Sequence, residues 1–432
     1  PLHAVFDERV LAFTENVKSS GSVDAEYSFL GTRRSASESF PLQFHHRNAM
    51  KWEDDRRAAV FVSPTDPAAL WFARYASGVV RDRLRDSLPR NLQSALGVFE
   101  ALKLYGVTYV VDPNSSYVEL SENAAAVDFL QYPGETLMYR GGDCDDLTIL
   151  YCSLLESSGI PTAFVTVPGH IFMAFELGMD EEEARARFFD PGLLIFRRGR
   201  AWAPVEITMV KEGFVKAWRV GAKQWIDNER AGTAAFFPMR DNWAVYRPSG
   251  LQNASSRFDL PDEAALMTAF DIAVDRFVIR ELGPVIAGYE KRLAAGRDPV
   301  LLNEYGTVLA GAGMLDPAWE LFKEAADAGF VPAWNNLANI AFIRKDYKLA
   351  RSYYAWAEKL QPGDPVAVLG TARCAFELDA YTEAGRLHGL LETEAPILAE
   401  RFGYLASVYG GRGRAWSMAD RLAGTIWSRP GL

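Results

Sequence analysis

The sequence predicts an α+β protein in which a cysteine-bearing helix packs on an antiparallel sheet, followed by an all-α helical-repeat domain. Three observations carry that expectation. Leu147, Leu150, Tyr151, Leu154 and Leu155 follow the i, i+3, i+4, i+7, i+8 rhythm of one helix face. Strand-like runs come next, at Thr162 to Val167, His170 to Glu176, Leu193 to Arg197 and Ala201 to Thr208. From about residue 262 the pattern is helical throughout, with small and aromatic residues recurring at fixed spacing.

A chain of 432 residues exceeds one ordinary core, so about two or three domains are expected. Its 49% hydrophobic and 12% aromatic content can fill them. Lys plus Arg number 46 against 56 Asp plus Glu, and the net charge of −10 argues against a general affinity for nucleic acid or anionic membrane. With three cysteines, Cys144, Cys152 and Cys374, no disulfide framework is expected. No apolar run approaches the ~18 residues of a membrane span. The sequence opens on Pro1 rather than Met, as a processed or trimmed chain would, and a periplasmic or secreted location is favoured over a cytoplasmic one.

In chain order, residues 1–60 read as an accessory region with a helix at Val5 to Val17 and alternating stretches at Tyr27 to Leu30 and Phe40 to Phe44. A second region, 61–232, opens at the turn and helix-start signal Ser63-Pro64-Thr65-Asp66-Pro67. Helices are expected at Ala68 to Arg85 and, after Pro89-Arg90-Asn91, at Leu92 to Leu104; a strand at Tyr105 to Val111 ends at Asp112-Pro113-Asn114. Gly159 ends the cysteine helix. Residues 233–261 are poor in periodicity, contain Arg247-Pro248-Ser249-Gly250 and read as a linker. In 262–432, Ala338, Ala350, Tyr354, Ala357 and Pro362 have the spacing of a tetratricopeptide repeat, with Gly306, Ala318, Phe322 and Ala325 before them and Ala372 and Ala384 after. His388 takes the aromatic place in that third unit, and a degenerate fourth runs from about Pro396 to Pro430. Small residues let paired helices cross closely, and the face so created is the expected seat of a protein partner.

The chemistry gathers at Gly141-Gly142-Asp143-Cys144-Asp145-Asp146, where a flexible glycine pair delivers a thiol to a helix start. A helix N-terminus lowers a thiol pKa, whereas the three flanking carboxylates, which want solvent, oppose thiolate formation. Asp143 fits an N-cap and Asp145 and Asp146 suit the helix dipole, so the decisive activation is assigned to His170, the polar member at the head of an apolar strand. Cys152 and Cys374 read as core filler and His45-His46 as a surface pair. Two acids compete to orient the imidazole: Glu206, alone on an otherwise apolar strand, is preferred, and Asp190, in Phe188-Phe189-Asp190-Pro191-Gly192, is the alternative with an easy second use in a turn. The backbone N–H of Cys144 is a natural oxyanion donor. The aspartate cluster lacks the ligand spacing of a calcium loop, so no metal is expected.

These placements resemble the transglutaminase-like superfamily, in particular its bacterial cysteine-protease branch. That family sets a cysteine at a helix start after a glycine-containing turn, a histidine at the head of a following strand and an acid on the next. Gly142-Asp143-Cys144-Asp145-Asp146, Pro168-Gly169-His170 and Trp202-Ala203-Pro204-Val205-Glu206 occupy those places, within roughly residues 61 to 225. The resemblance implies a papain/transglutaminase-like core and a cysteine protease, amidase or transamidase working through Cys144, His170 and Glu206 on a protein or peptide substrate. No cofactor is implied. Glutamate stands where the family usually has aspartate, and Ile171-Phe172 replaces its common Ala-Trp pair. By the same resemblance an upstream aromatic or amide helps bind the oxyanion, which makes Tyr109 and Gln131 candidates, with Asp143 positioning the cysteine helix. The alternative is a catalytically inactive scaffold of the same fold that acts as a protein-interaction module.

Overall fold

The computed structural model describes residues 8–85, 88–111, 127–250, 259–406 and 425–429. His3, the Asp112-Pro113-Asn114 turn and most of the fourth repeat lie outside them. The protein is mixed α/β, with sheets in its N-terminal region and a long helical C-terminal region. Its contacts divide it into two units, one of residues 1–77, 98–176 and 192–262, the other of 78–97, 177–191 and 263–432.

The first unit holds the sheets. Strands β1 (Val17–Phe29) and β2 (Thr32–Phe44) form a long antiparallel hairpin; before it, where a helix was expected at Val5 to Val17, the described residues form only a short 3-10 turn, Glu8–Ala12. Leu30 and Gly31 both take positive φ at its tip, the geometry whose twist suits paired strands. Almost every hairpin side chain is exposed, and the alternating stretches read at Tyr27 to Leu30 and Phe40 to Phe44 fall at the end of β1 and the end of β2. The pair β3 (Ala49–Met50) and β5 (Asp128–Phe129) ties this region to the chain before the cysteine. Arg47 and Asn48 each donate to Glu135 at 2.7 Å, and Trp52 Nε1 donates to Asp128 at 2.7 Å, so residues 47–52 are built into the site's frame.

The main sheet has the order β11 (Ala235–Pro238), β7 (Thr162–Val167), β8 (His170–Asp180), β10 (Arg200–Val205), β9 (Ile195–Arg197). All of β7 is buried, because the two sets of alternating side chains are covered differently. Ala163, Val165 and Val167 join Phe172, Ala174, Trp202 and Trp225 in one cluster. Thr162 faces the cysteine helix and donates its hydroxyl to Glu156 at 2.9 Å. Strand β11 and the helix Met239–Val245 correct the linker reading of 233–261: Phe236 sits edge-on to Trp202 at 5.2 Å, and Ser249 N–H bonds Val60 O at 2.8 Å. One strand added at the sheet edge carries no periodicity of its own, which is why its tertiary partners alone reveal it.

In the second unit, helical hairpins follow one another: Pro299–Gly311 with Leu315–Asp327, Pro332–Ile343 with Tyr347–Leu360, and Pro365–Glu377 with Tyr381–Glu394. A Cβ on Gly306 would come within 2.6 Å of Phe322, and one on Gly370 within 2.2 Å of Tyr354. Glycine is therefore required at those two crossings. His388 is buried and bonds Ala399 O at 2.9 Å through Nε2.

Candidate active site

The segment that carries the cysteine is built by a close approach rather than by flexibility. Gly141–Gly142 forms strand β6, paired in parallel with β4 (Thr108–Tyr109), so that Tyr109 lies opposite Gly142. A Cβ on Gly142 would meet Asp146 Cβ at 2.5 Å. The helix Cys144–Ser157 then begins at the cysteine, capped by Asp143, whose carboxylate accepts from Asp146 N–H at 3.4 Å. Gly159, at φ +77, follows its end.

All three aspartates are buried, contrary to the solvent-seeking role expected of them. Their oxygens lie within 4.8 Å of one another. Asp146 accepts from Gln131 N–H at 2.7 Å, and Asp145 Oδ1 from Asp146 N–H at 2.7 Å, so part of the cluster's acceptor capacity is spent inside the fold. Burial, followed by the neighbouring Asp143 carboxylate, holds Asp145 well above the usual carboxylate range, and burial and Asp143 do the same to Asp146.

Cys144 is 5% exposed, and its thiol is pushed up to about 12. Desolvation is the largest cause and Asp143 the next; the Ile171 and Asp145 N–H groups, which favour thiolate, and the Glu206 carboxylate, which opposes it, are smaller. The expected depression at the helix N-terminus is thus outweighed by loss of solvent. Cys152 and Cys374 are buried among helix residues with thiols raised for the same first reason.

His170 enters after the two-residue turn Pro168-Gly169, where Gly169 takes φ +70 and sets His170 opposite Val167. Its Nε2 and Glu206 Oε2 are 2.5 Å apart. Glu206 is 2% exposed, and its other oxygen accepts from Thr208 N–H at 3.2 Å and Thr208 Oγ1 at 2.6 Å. Each oxygen is therefore committed and the carboxylate has one orientation. Thr208 is a positioning residue that sequence reasoning passed over; the local Glu-x-Thr spacing, a side-chain cap on the 3-10 turn Ile207–Glu212, was the available signal. The hydrogen bond of His170 Nε2 is made by Glu206, while Asp190 is exposed and lies near Glu281.

Tyr109 is close to the cysteine: burial first, then the charges of Cys144, Asp143 and Glu206, hold its phenol protonated above its ordinary range. Gln131 is tied to the same helix through Asp146, while its side-chain Oε1 is buried without a hydrogen bond. His45 and His46 are half-buried rather than a surface pair, and burial lowers the His46 pKa. A cavity of about 360 Å³ elsewhere in this unit, lined by Glu176, Arg200, Trp202 and Phe236 among others, does not include the cysteine. No family model, curated protein or solved structure matches the chain.

Proposed function

We propose that the protein is a transglutaminase-like cysteine enzyme that cleaves or transfers an amide or peptide acyl group, with its helical array as the protein-binding domain. The observation that carries the reading is the 2.5 Å bond between His170 Nε2 and Glu206 Oε2, with Glu206 itself held by Thr208. A carboxylate that accepts from Nε2–H leaves Nδ1 as the ring's proton acceptor. Cys144 starts as a thiol. Its proton passes to Nδ1 as sulfur bonds the carbonyl carbon, and the imidazolium returns that proton to the leaving amine. A thioester remains, which water resolves by default. The Tyr109 hydroxyl and the Cys144 backbone N–H are the donors assigned to the oxyanion. A papain/transglutaminase-like core, with the cysteine helix against β7 and β8, belongs to the same proposal.

A catalytically silent scaffold is the second reading, favoured by the covered sulfur and its raised pKa. Iodoacetamide labelling followed by peptide mass mapping separates the two. Wild-type Cys144 is expected to react about tenfold or more faster than Cys144 in His170→Ala, with Glu206→Gln also slowed. In His170→Ala the rate should climb about tenfold per pH unit toward the thiol value near 12, without an earlier plateau. Equal rates in wild type and His170→Ala, with the same pH profile, would leave the scaffold reading.

A further inference from the structure

Four asparagines stand on the first helices of two successive hairpins: Asn303 on Pro299–Gly311, and Asn335, Asn336 and Asn339 on Pro332–Ile343. Asparagine is a poor helix former, and a buried amide is costly without partners. All four are nonetheless buried. Their partners are largely outside the helices, in Thr425–Arg429, which runs beside them with neither helix nor strand structure.

The bonds take hold of backbone. Asn336 Oδ1 accepts from Ser428 N–H at 2.8 Å while its Nδ2 donates to Ser428 O at 3.0 Å, satisfying one residue in both directions as a neighbouring strand would. Asn303 Nδ2 donates to the same carbonyl at 3.0 Å, and Asn339 Nδ2 to Ile426 O at 2.9 Å. The amides are held ready by the array itself: Asn336 donates to Asn303 at 2.8 Å, Tyr354 to Asn339 at 2.6 Å, and Asn335 to Asp364 at 2.5 Å. Between the clamped residues, Trp427 stacks on Phe322 with centroids 5.9 Å apart and planes 19° apart. Ile426 packs on the cluster of Leu369, Leu387 and Phe402.

An amide ladder that pairs with main-chain N–H and C=O fits any non-helical peptide, and the slots for Ile426 and Trp427 supply the selection. We propose that this groove is a peptide-binding site for a partner-protein segment carrying an aliphatic-Trp-Ser sequence, and that Thr425–Arg429 is an internal ligand that partners must displace. The proposal rests on the reading of the array as a protein-binding domain. A ligand borne on the same chain acts at an effective concentration of about a millimolar. If the segment's own dissociation constant is about 0.1 mM, a peptide added in trans binds roughly tenfold weaker than it would to an open groove.

The test uses the full chain and a fluorescein-labelled Thr-Ile-Trp-Ser-Arg peptide, followed by anisotropy. Trp427→Ala empties the aromatic slot, and Ser428→Pro removes the N–H that Asn336 accepts; both leave the groove walls intact. Each is expected to bind the peptide about tenfold tighter than wild type, and adding Asn336→Ala to either should abolish the gain. Binding that is blocked by Asn336→Ala yet equal in wild type and both released variants would overturn self-occupancy while leaving the protein-binding reading in place. Absence of binding in every chain would overturn both. Loss of helical circular dichroism in both released variants would make the segment part of the fold and defeat the proposal. A wild-type dimer in sedimentation that the peptide dissociates would give the groove to a second copy instead, and also defeat it.

Discussion

Asp145 has 1% exposure and sits beside two further carboxyls, so its charged form is disfavoured in the folded chain far more than in the unfolded one. Its folded value is raised, so the folded state keeps a proton that the unfolded state gives up above about 3.9. The stability this provides is complete below that pH and is lost as pH rises toward the folded value. Asp146 acts in the same direction, and Cys144 does so later, above the ordinary thiol value of about 8.5. Asp145→Asn keeps the shape, removes the titration and can donate to Asp143. The fall in melting temperature from pH 5 to pH 8 should therefore be smaller in Asp145→Asn than in wild type. Parallel slopes would show that the carboxyl carries no such proton. From sequence alone these aspartates suggested exposure because aspartate usually seeks water. In the structure all three are buried, and Asp146 packs closely on Gly142, an approach that no residue type announces.

At the scale of elements, legibility followed burial. The helix Cys144–Ser157 and strand β7 are buried almost throughout, the helix with an apolar stripe in its sequence and the strand as a compact run, and their limits in the structure lie close to the positions read from the pattern. The β1–β2 hairpin exposes nearly everything, and only the short stretches Tyr27 to Leu30 and Phe40 to Phe44 carried an alternation to read, too little to give its length. The small and aromatic positions of the helical hairpins were visible because sterics demand them at fixed spacing. The asparagines of Pro332–Ile343 were equally visible, three amides in one short helix, but their purpose lies in a segment about ninety residues away. Sterics also set a prediction. Gly370→Ala gains about 1 kcal/mol of helix propensity, but its Cβ at 2.2 Å from the rigid Tyr354 ring forces overpacking that costs about 1–3 kcal/mol and disturbs the hydroxyl holding Asn339. Gly389→Ala, with nothing within 4 Å, has only the propensity gain. Thermal melts should move in opposite directions, Gly370→Ala downward and Gly389→Ala upward; two upward shifts would mean that Tyr354 yields without cost.

For the molecule as a whole, the sequence suggested consecutive domains joined by a linker at 233–261, whereas the second unit recruits residues 78–97 and 177–191 from far upstream. Phe188 is 7% exposed and lies edge-on to Phe277 at 6.3 Å; Phe189 N–H bonds Glu281 at 2.9 Å; Arg85 pairs with Asp275 at 2.6 Å and donates to Ala312 O at 3.1 Å. These contacts join distant stretches of one chain, a relation that local pattern cannot express. A chain ending at residue 261 consequently loses the packing partners of both recruited segments. Uncovering Phe188 alone costs about 1.5–3 kcal/mol, whereas the ion pair, with Asp275 substantially exposed, adds little. In a chain of this size that difference lowers the melting temperature by roughly 3–12 °C. The truncated chain should therefore melt earlier than the full chain and bind a hydrophobic dye at temperatures where the full chain does not. A truncated chain that melts no earlier and stays free of dye would show that residues 78–97 and 177–191 hold their place without the helical array, and would restore the sequential division at 261.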